Sequence, residues 1–138
     1  MKNLFFVLVV LFLVSCSQGE GGQNKKLTLS GTIYIDPSLA AKVGRNDRLF
    51  IIARRPEGGP PLAVQKIVNP EFPLKYWLSP EDVMIPGVEF TGEVTVIARI
   101  DKDGQAGPPQ PGDLEGSWKG NPVKVGDQKV DILIDKLY

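Results

Sequence analysis

An all-β sandwich is the fold class this sequence predicts, and three observations carry the prediction. Short hydrophobic runs alternate with polar residues at a period of two, most clearly in Val94-Thr95-Val96-Ile97-Ala98-Arg99-Ile100. Twelve prolines and fifteen glycines fall mostly between those runs, where they cannot continue a ladder. Helical periodicity is sparse throughout the part of the chain that follows its first hydrophobic stretch.

The elements follow in chain order. Residues 27–35 alternate Leu27, Leu29, Gly31, Ile33 and Ile35 with Thr28, Ser30, Thr32 and Tyr34, giving a first strand with one face inward. Gly31 at its middle marks a bulge or a close approach of another segment. Asp36-Pro37-Ser38 ends the strand, and residues 39–43 form one helical turn capped by Asp36 or Ser38. A second strand spans 48–54, with Leu49, Ile51 and Ala53 on an apolar face and Phe50, Ile52 and Arg54 on a mixed one. A loop containing Pro56, Gly58, Gly59, Pro60 and Pro61 leads to a third strand at 62–68.

Asn69-Pro70 then turns the chain into 73–78, where Leu74, Tyr76 and Leu78 face one way and Lys75 and Trp77 the other. Ser79-Pro80-Glu81-Asp82 caps a short turn that ends at Ile85-Pro86-Gly87. Residues 94–101 are the clearest strand, its core face made of Val94, Val96, Ala98 and Ile100. Residues 102–122 read as one long loop anchored by Leu114 and Trp118, and Val130, Ile132 and Ile134 close the domain. Six or seven short strands with proline-rich connections predict an immunoglobulin-like β-sandwich of about seven strands over residues 27–138.

Residues 49–64 and 94–109 share a theme: Ile-Ala-Arg near the end of a strand, then a glycine-rich loop ending in a proline pair. The match is too short to establish a repeat. It does place Arg54 and Arg99 at equivalent points. If their strands are neighbours, the two guanidinium groups form a basic edge able to grip carboxylates or peptide carbonyls; the alternative is a pair of surface arginines over acidic neighbours. Pro60 and Pro61 with Trp77, Trp118 and Tyr76 supply the rest of a peptide-binding face, or else ordinary cover for the core.

The chain start predicts a destination. Lys2 precedes an apolar run from Leu4 to Val14, too short for a membrane-spanning helix of about 20 residues and typical of a secretory signal. Leu13-Val14-Ser15-Cys16 resembles a bacterial lipobox, which makes residues 1–15 a lipoprotein signal peptide and Cys16, the only cysteine, the lipidated first residue. Two or more acyl chains suffice for stable attachment to a bilayer. Ser17 after the cysteine favours the periplasmic face of the outer membrane, and the polar, glycine-rich stretch 16–26 reads as a tether.

Composition removes several function classes. Sixteen basic residues balance sixteen acidic ones, so nothing in the charge calls for nucleic acid. The chain has no histidine, which removes the Ser-His-Asp triad, the usual zinc and copper sites and a histidine ligand for haem. Asp101-Lys102-Asp103-Gly104 starts like a calcium loop but lacks the acidic ligand set that should follow, and reads as a polar turn. Met84 reads as a packing residue and not a metal ligand. Asp82, Asp113 and Glu115 read as solvated turn acids and not as a pair for glycoside hydrolysis. No enzyme activity, cofactor, metal or small-molecule substrate is expected.

Taken together, Gly31-Thr32-Ile33, Pro37-Ser38-Leu39-Ala40, Asp47-Arg48-Leu49-Phe50, Gly59-Pro60-Pro61-Leu62-Ala63-Val64, Ala98-Arg99-Ile100 and Pro111-Gly112-Asp113-Leu114-Glu115-Gly116 resemble the C-terminal periplasmic domain of the cytochrome c biogenesis factor known as CcmI or CycH. The resemblance runs over about residues 28–135. It implies an immunoglobulin-like domain that helps hold apocytochrome c before haem is ligated. In that family the domain follows membrane helices and tetratricopeptide repeats, and here a lipid anchor stands in their place. The expectation is a lipid-anchored periplasmic binding module assisting cytochrome c maturation. A structural or interaction lipoprotein of the envelope with no cytochrome-specific role is the alternative.

Overall fold

A computed structural model describes residues 27–138. The signal peptide expected at residues 1–15, the lipidation expected at Cys16 and the tether expected up to residue 26 lie outside the described residues.

Two sheets share one core. The smaller sheet has β1 (Leu29–Ile35) at its centre, antiparallel to β4 (Leu74–Leu78) and parallel to β8 (Ile132–Ile134). The larger sheet runs in the order β3 (Pro61–Val68), β2 (Arg48–Arg54), β5 (Glu93–Asp101), β6 (Leu114–Ser117) and β9 (Lys136–Leu137), with β7 (Val123–Lys124) paired to the start of β5. An immunoglobulin-like sandwich is therefore the observed architecture, with nine strands instead of about seven. The additional strands β6, β7 and β9 each have four residues or fewer; β6 lies inside the glycine- and proline-rich stretch that reads as loop, and β7 directly follows it.

The period of two decides the core. Val94, Val96, Ala98 and Ile100 of β5 are fully buried, facing Leu29, Ile33, Leu78, Ile132 and Ile134 of the smaller sheet within one cluster. Strand β2 differs from its sequence pattern, because Phe50 and Ile52 on its second face are buried as well. The strand sits between β3 and β5, and Lys66 lies over the Phe50 ring at 5.9 Å. The short helix α1 (Pro37–Ala40) begins two residues before the expected turn: Asp36 caps it by accepting the Ser38 N–H at 2.8 Å, and Pro37 occupies its first turn. The turn at Pro80–Asp82 forms as read, with Ser79 and Asp82 closing a capping box.

Close backbone approaches seal the sandwich on one side. A Cβ on Gly31 would stand 2.1 Å from the Val130 carbonyl oxygen, so this residue marks a close approach and not a bulge. Tyr76, directly across from Gly31 on β4, donates its hydroxyl to that same carbonyl at 2.7 Å. Gly116 of β6 lies as tightly against the Leu133 carbonyl, which joins the two sheets at β6 and β8. On the opposite side, β3 and β4 are sheet edges. The start of the β3 edge is covered by an Ala63–Val83 bridge and by the Met84 N–H donating to Leu62 C=O at 2.8 Å.

Candidate functional site

The candidate site lies on the face of the larger sheet turned away from the core, where the two proline-rich loops converge. Arg54 and Arg99 sit on antiparallel neighbours, Arg54 opposite Thr95 and Arg99 opposite Phe50, which puts both on that outer face. They are not at equivalent strand ends. Strand β5 continues past Arg99 to Asp101, and the antiparallel pairing places the two strand ends at opposite edges of the register. The arginines line one cleft because both loops fold back over the sheet.

Each loop has a local cause. Between Ala53 and Arg54 the β2–β3 register shifts, Gly58 N–H donates to Arg55 C=O, and Gly58 and Gly59 take φ of +98° and +93°, a region glycine enters without a steric penalty. The second loop is organised by two buried aspartates. The Asp101 Oδ1 accepts the N–H groups of Asp103, Gly104 and Gln105 at 3.0, 2.7 and 3.2 Å, and Asp113 accepts those of Lys102 and Gln110 at 3.0 and 2.7 Å. Arg99 then holds the loop down, donating Nη1–H to Gly107 C=O at 2.7 Å.

The result is a cleft of about 410 Å³ lined by Arg54, Arg99, Gly59, Pro60, Pro61, Ala106, Gly107, Pro108 and Pro109. Four of the residues singled out from sequence therefore line one cavity. The other three lie elsewhere, Tyr76 buried in the core with its hydroxyl on the Val130 carbonyl. Trp77 is 60% exposed on the outer face of the smaller sheet, beside Ser30, while Trp118 is half-buried and packed on the core. A larger hollow of about 650 Å³, between α1 and the turn after β3, gathers Arg45 and Glu71 but none of the residues expected to bind.

The two arginines differ in electrostatics. Arg99 is buried, and its Nε and Nη2 both donate to Glu115 Oε2 at 2.8 Å. Tyr138 donates its hydroxyl to the other oxygen of Glu115 at 3.0 Å. Arg54 is half-buried, and its Nε is buried with no hydrogen-bond acceptor. Among the described residues no cluster of three carboxylate or thiol side chains could hold a metal ion. Asp82 is taken up by the cap at Ser79, Asp113 by the loop and Glu115 by Arg99 and Tyr138, so each of the three acids holds structure. Met84 is 62% exposed beside the edge of β3.

Sequence reasoning did not single out Asp101 or Asn121 as organising residues. Asn121 stands in for a strand, donating its amide to Val96 C=O at 3.1 Å and accepting Val96 N–H at 2.9 Å. The signal present for both was a side chain able to bond backbone in a turn-rich stretch.

Residues 29–135 match the family described as the cytochrome c-type biogenesis protein H Ig-like domain. The chain belongs to this family. A protein of Aquifex aeolicus (strain VF5), described only as uncharacterized, is 30% identical over 145 residues, covering 96% of this chain and 94% of its own. Among solved structures, an alternative pilotin from the type II secretion system of Vibrio cholerae matches with a TM-score of 0.50 at 16% identity. That match covers 80% of this chain and 96% of the pilotin, and it bears on the fold. The Ig-like biogenesis domain thus occupies nearly all of the described residues, with the cleft inside it.

Proposed function

We propose that the protein is a binding module of the bacterial envelope that assists cytochrome c maturation by holding apocytochrome c before haem is attached. The family match across residues 29–135 carries this reading. The cleft supports it physically. Four prolines on two loops form rigid walls against which an extended segment can lie with little loop ordering, and Arg54 offers a charged contact at the floor. Lipidation at Cys16 would keep the module on the periplasmic face of the outer membrane, close to exported polypeptides. The module works by binding and not by catalysis.

The second reading is an interaction or structural lipoprotein with no cytochrome-specific role. A sandwich of this kind also occurs in a type II secretion pilotin, so the fold alone is compatible with it. Titration of the full chain with synthetic apocytochrome peptides, with and without their Cys-x-x-Cys-His segment, separates the two. Micromolar binding supports the maturation role. No binding to any of the peptides leaves the second reading.

A further inference from the structure

We propose that the cleft is a receptor for a carboxylate carried on an extended peptide, and that Arg54 alone is the cation that receives it. The inference rests on the cleft being a polypeptide site and narrows its ligand.

Two arginines line the cleft, but only one is without a partner. Each guanidinium nitrogen of Arg99 already has a partner, Glu115 at Nε and Nη2 and the Gly107 carbonyl at Nη1, and its charge is neutralised by Glu115. Arg55, next to Arg54 in sequence, is occupied as well: its guanidinium reaches the carbonyls of Thr91, Glu89 and Glu93. The Arg54 side chain makes no hydrogen bond or ion pair with any described residue, and its Nε–H is already out of solvent. A buried donor left without an acceptor is costly, and more so when it belongs to a cation. The cleft lining contains no acidic side chain that could satisfy it.

The walls decide what kind of anion fits. Pro60, Pro61, Pro108 and Pro109 have no N–H and present flat apolar rings, so they cannot solvate a free ion. A small inorganic anion would satisfy the guanidinium and leave those rings wet. An acidic residue flanked by apolar ones satisfies both: its carboxylate meets the planar fork of Arg54 and its neighbours cover the rings. The side-by-side proline pairs favour an extended segment over a folded one.

The test uses the full chain labelled with ¹⁵N and the Nε–H resonances of Arg54 and Arg99, identified by their loss in single variants. The probe is a blocked pentapeptide, Ala-Phe-Glu-Pro-Ala, with a twin in which glutamine replaces the glutamate, and inorganic phosphate as the free anion. The acidic peptide is expected to shift Arg54 Nε–H and leave Arg99 Nε–H in place. It should bind about tenfold or more tightly than its twin, the difference of a charge-assisted hydrogen bond. Arg54→Lys keeps the charge and loses the fork, so affinity falls; Arg54→Gln abolishes the preference for the acid while its urea midpoint stays at or above that of the parent. Equal binding of both peptides, a response at Arg99 instead of Arg54, or phosphate binding as tightly as the acidic peptide overturns the proposal. Apocytochrome peptides that bind undiminished to Arg54→Gln overturn it and leave the proposed function standing. A response of Arg54 to the acidic peptide, with no binding of any apocytochrome peptide, does the reverse.

Discussion

Arg99 and Glu115 face each other across β5 and β6, and both Nε and Nη2 of the arginine meet a single carboxylate oxygen at 2.8 Å. The other oxygen takes the hydroxyl of Tyr138, the last residue of the chain, at 3.0 Å. Through Gly107 the same arginine holds the second proline loop against the sheet. The floor of the cleft and one of its walls are thus tied to one buried ion pair.

Glu115→Gln leaves Arg99 buried without its counter-ion and is expected to lower stability by about 3 kcal/mol. Arg99→Gln should cost a similar amount, and the double variant less than the sum of the two, because the residues share one interaction. Urea denaturation of all four proteins measures the coupling. Arg54→Gln, with no partner to lose, should leave the midpoint unchanged or raise it, so the two arginines separate by stability alone.

Tyr76→Phe removes the hydroxyl that reaches Val130 C=O and should cost about 1–2 kcal/mol at an unchanged denaturant slope. Burial and the charge of Asp131 push this phenol well above the ordinary tyrosine range, so it stays protonated, and a donor, at any pH the fold tolerates. Gly31→Ala is expected to be worse than Tyr76→Phe, since its methyl group would run into the same carbonyl.

Asn121→Ala deletes both bonds to the Val96 backbone and should cost about 2 kcal/mol. Asn121→Asp keeps the acceptor for Val96 N–H but turns a second oxygen toward Val96 C=O. Its loss should therefore be at least as large near neutral pH and partly recovered in acid. Thermal melts of the two variants at pH 4 and pH 7 give the comparison.

Burial, a hydrogen bond with the Asp103 carboxyl and the charge of Asp113 raise the Asp101 carboxyl above its ordinary value, against the opposing N–H groups of Gln105 and Gly104. A carboxyl whose folded value is raised contributes most stability below its unfolded value of about 3.9 and loses that contribution as pH rises through the folded value. Asp101→Asn cannot ionise, and its amide oxygen can still accept the loop N–H groups. The variant should therefore gain on the parent between pH 4 and pH 7. Urea midpoints at both pH values test the sign; a difference that does not change with pH overturns it.

The strands that read correctly are those whose neighbours did not matter to the reading. In β5 a period of two over Val94, Val96, Ala98 and Ile100 is visible in one dimension, and all four side chains are buried on the core side. Strand β6 carries one large apolar residue, Leu114, and its central Gly116 is needed for contact with Leu133, which lies far along the chain; that requirement has no local signature. The cleft was half legible. Two Gly-Pro loops after two Ile-Ala-Arg strands suggested a shared face, and the outer sheet face does hold Arg54, Arg99, Pro60 and Pro61 together. Nothing local distinguished an arginine committed to Glu115 from one with its Nε unmatched, because the difference depends on which acid lies across the sheet. Trp77 and Trp118 resisted for the same reason, one emerging on the outside of the smaller sheet and the other against the core.

Strand β1 has its parallel partner in β8, so that Thr32 N–H is held by Asp131, 99 positions later. A chain delivered N-terminus first, whether from a ribosome or through a membrane pore, reaches Ile35 with neither β4 nor β8, the two neighbours of β1, yet present. The smaller sheet cannot be completed until the closing residues emerge. Delivery of residues 132–134 has to be complete before the sandwich locks, and a chain cut short of residue 132 would leave the Ile33–Ile35 edge of β1 unpaired and open to quality-control proteases however well the larger sheet had formed.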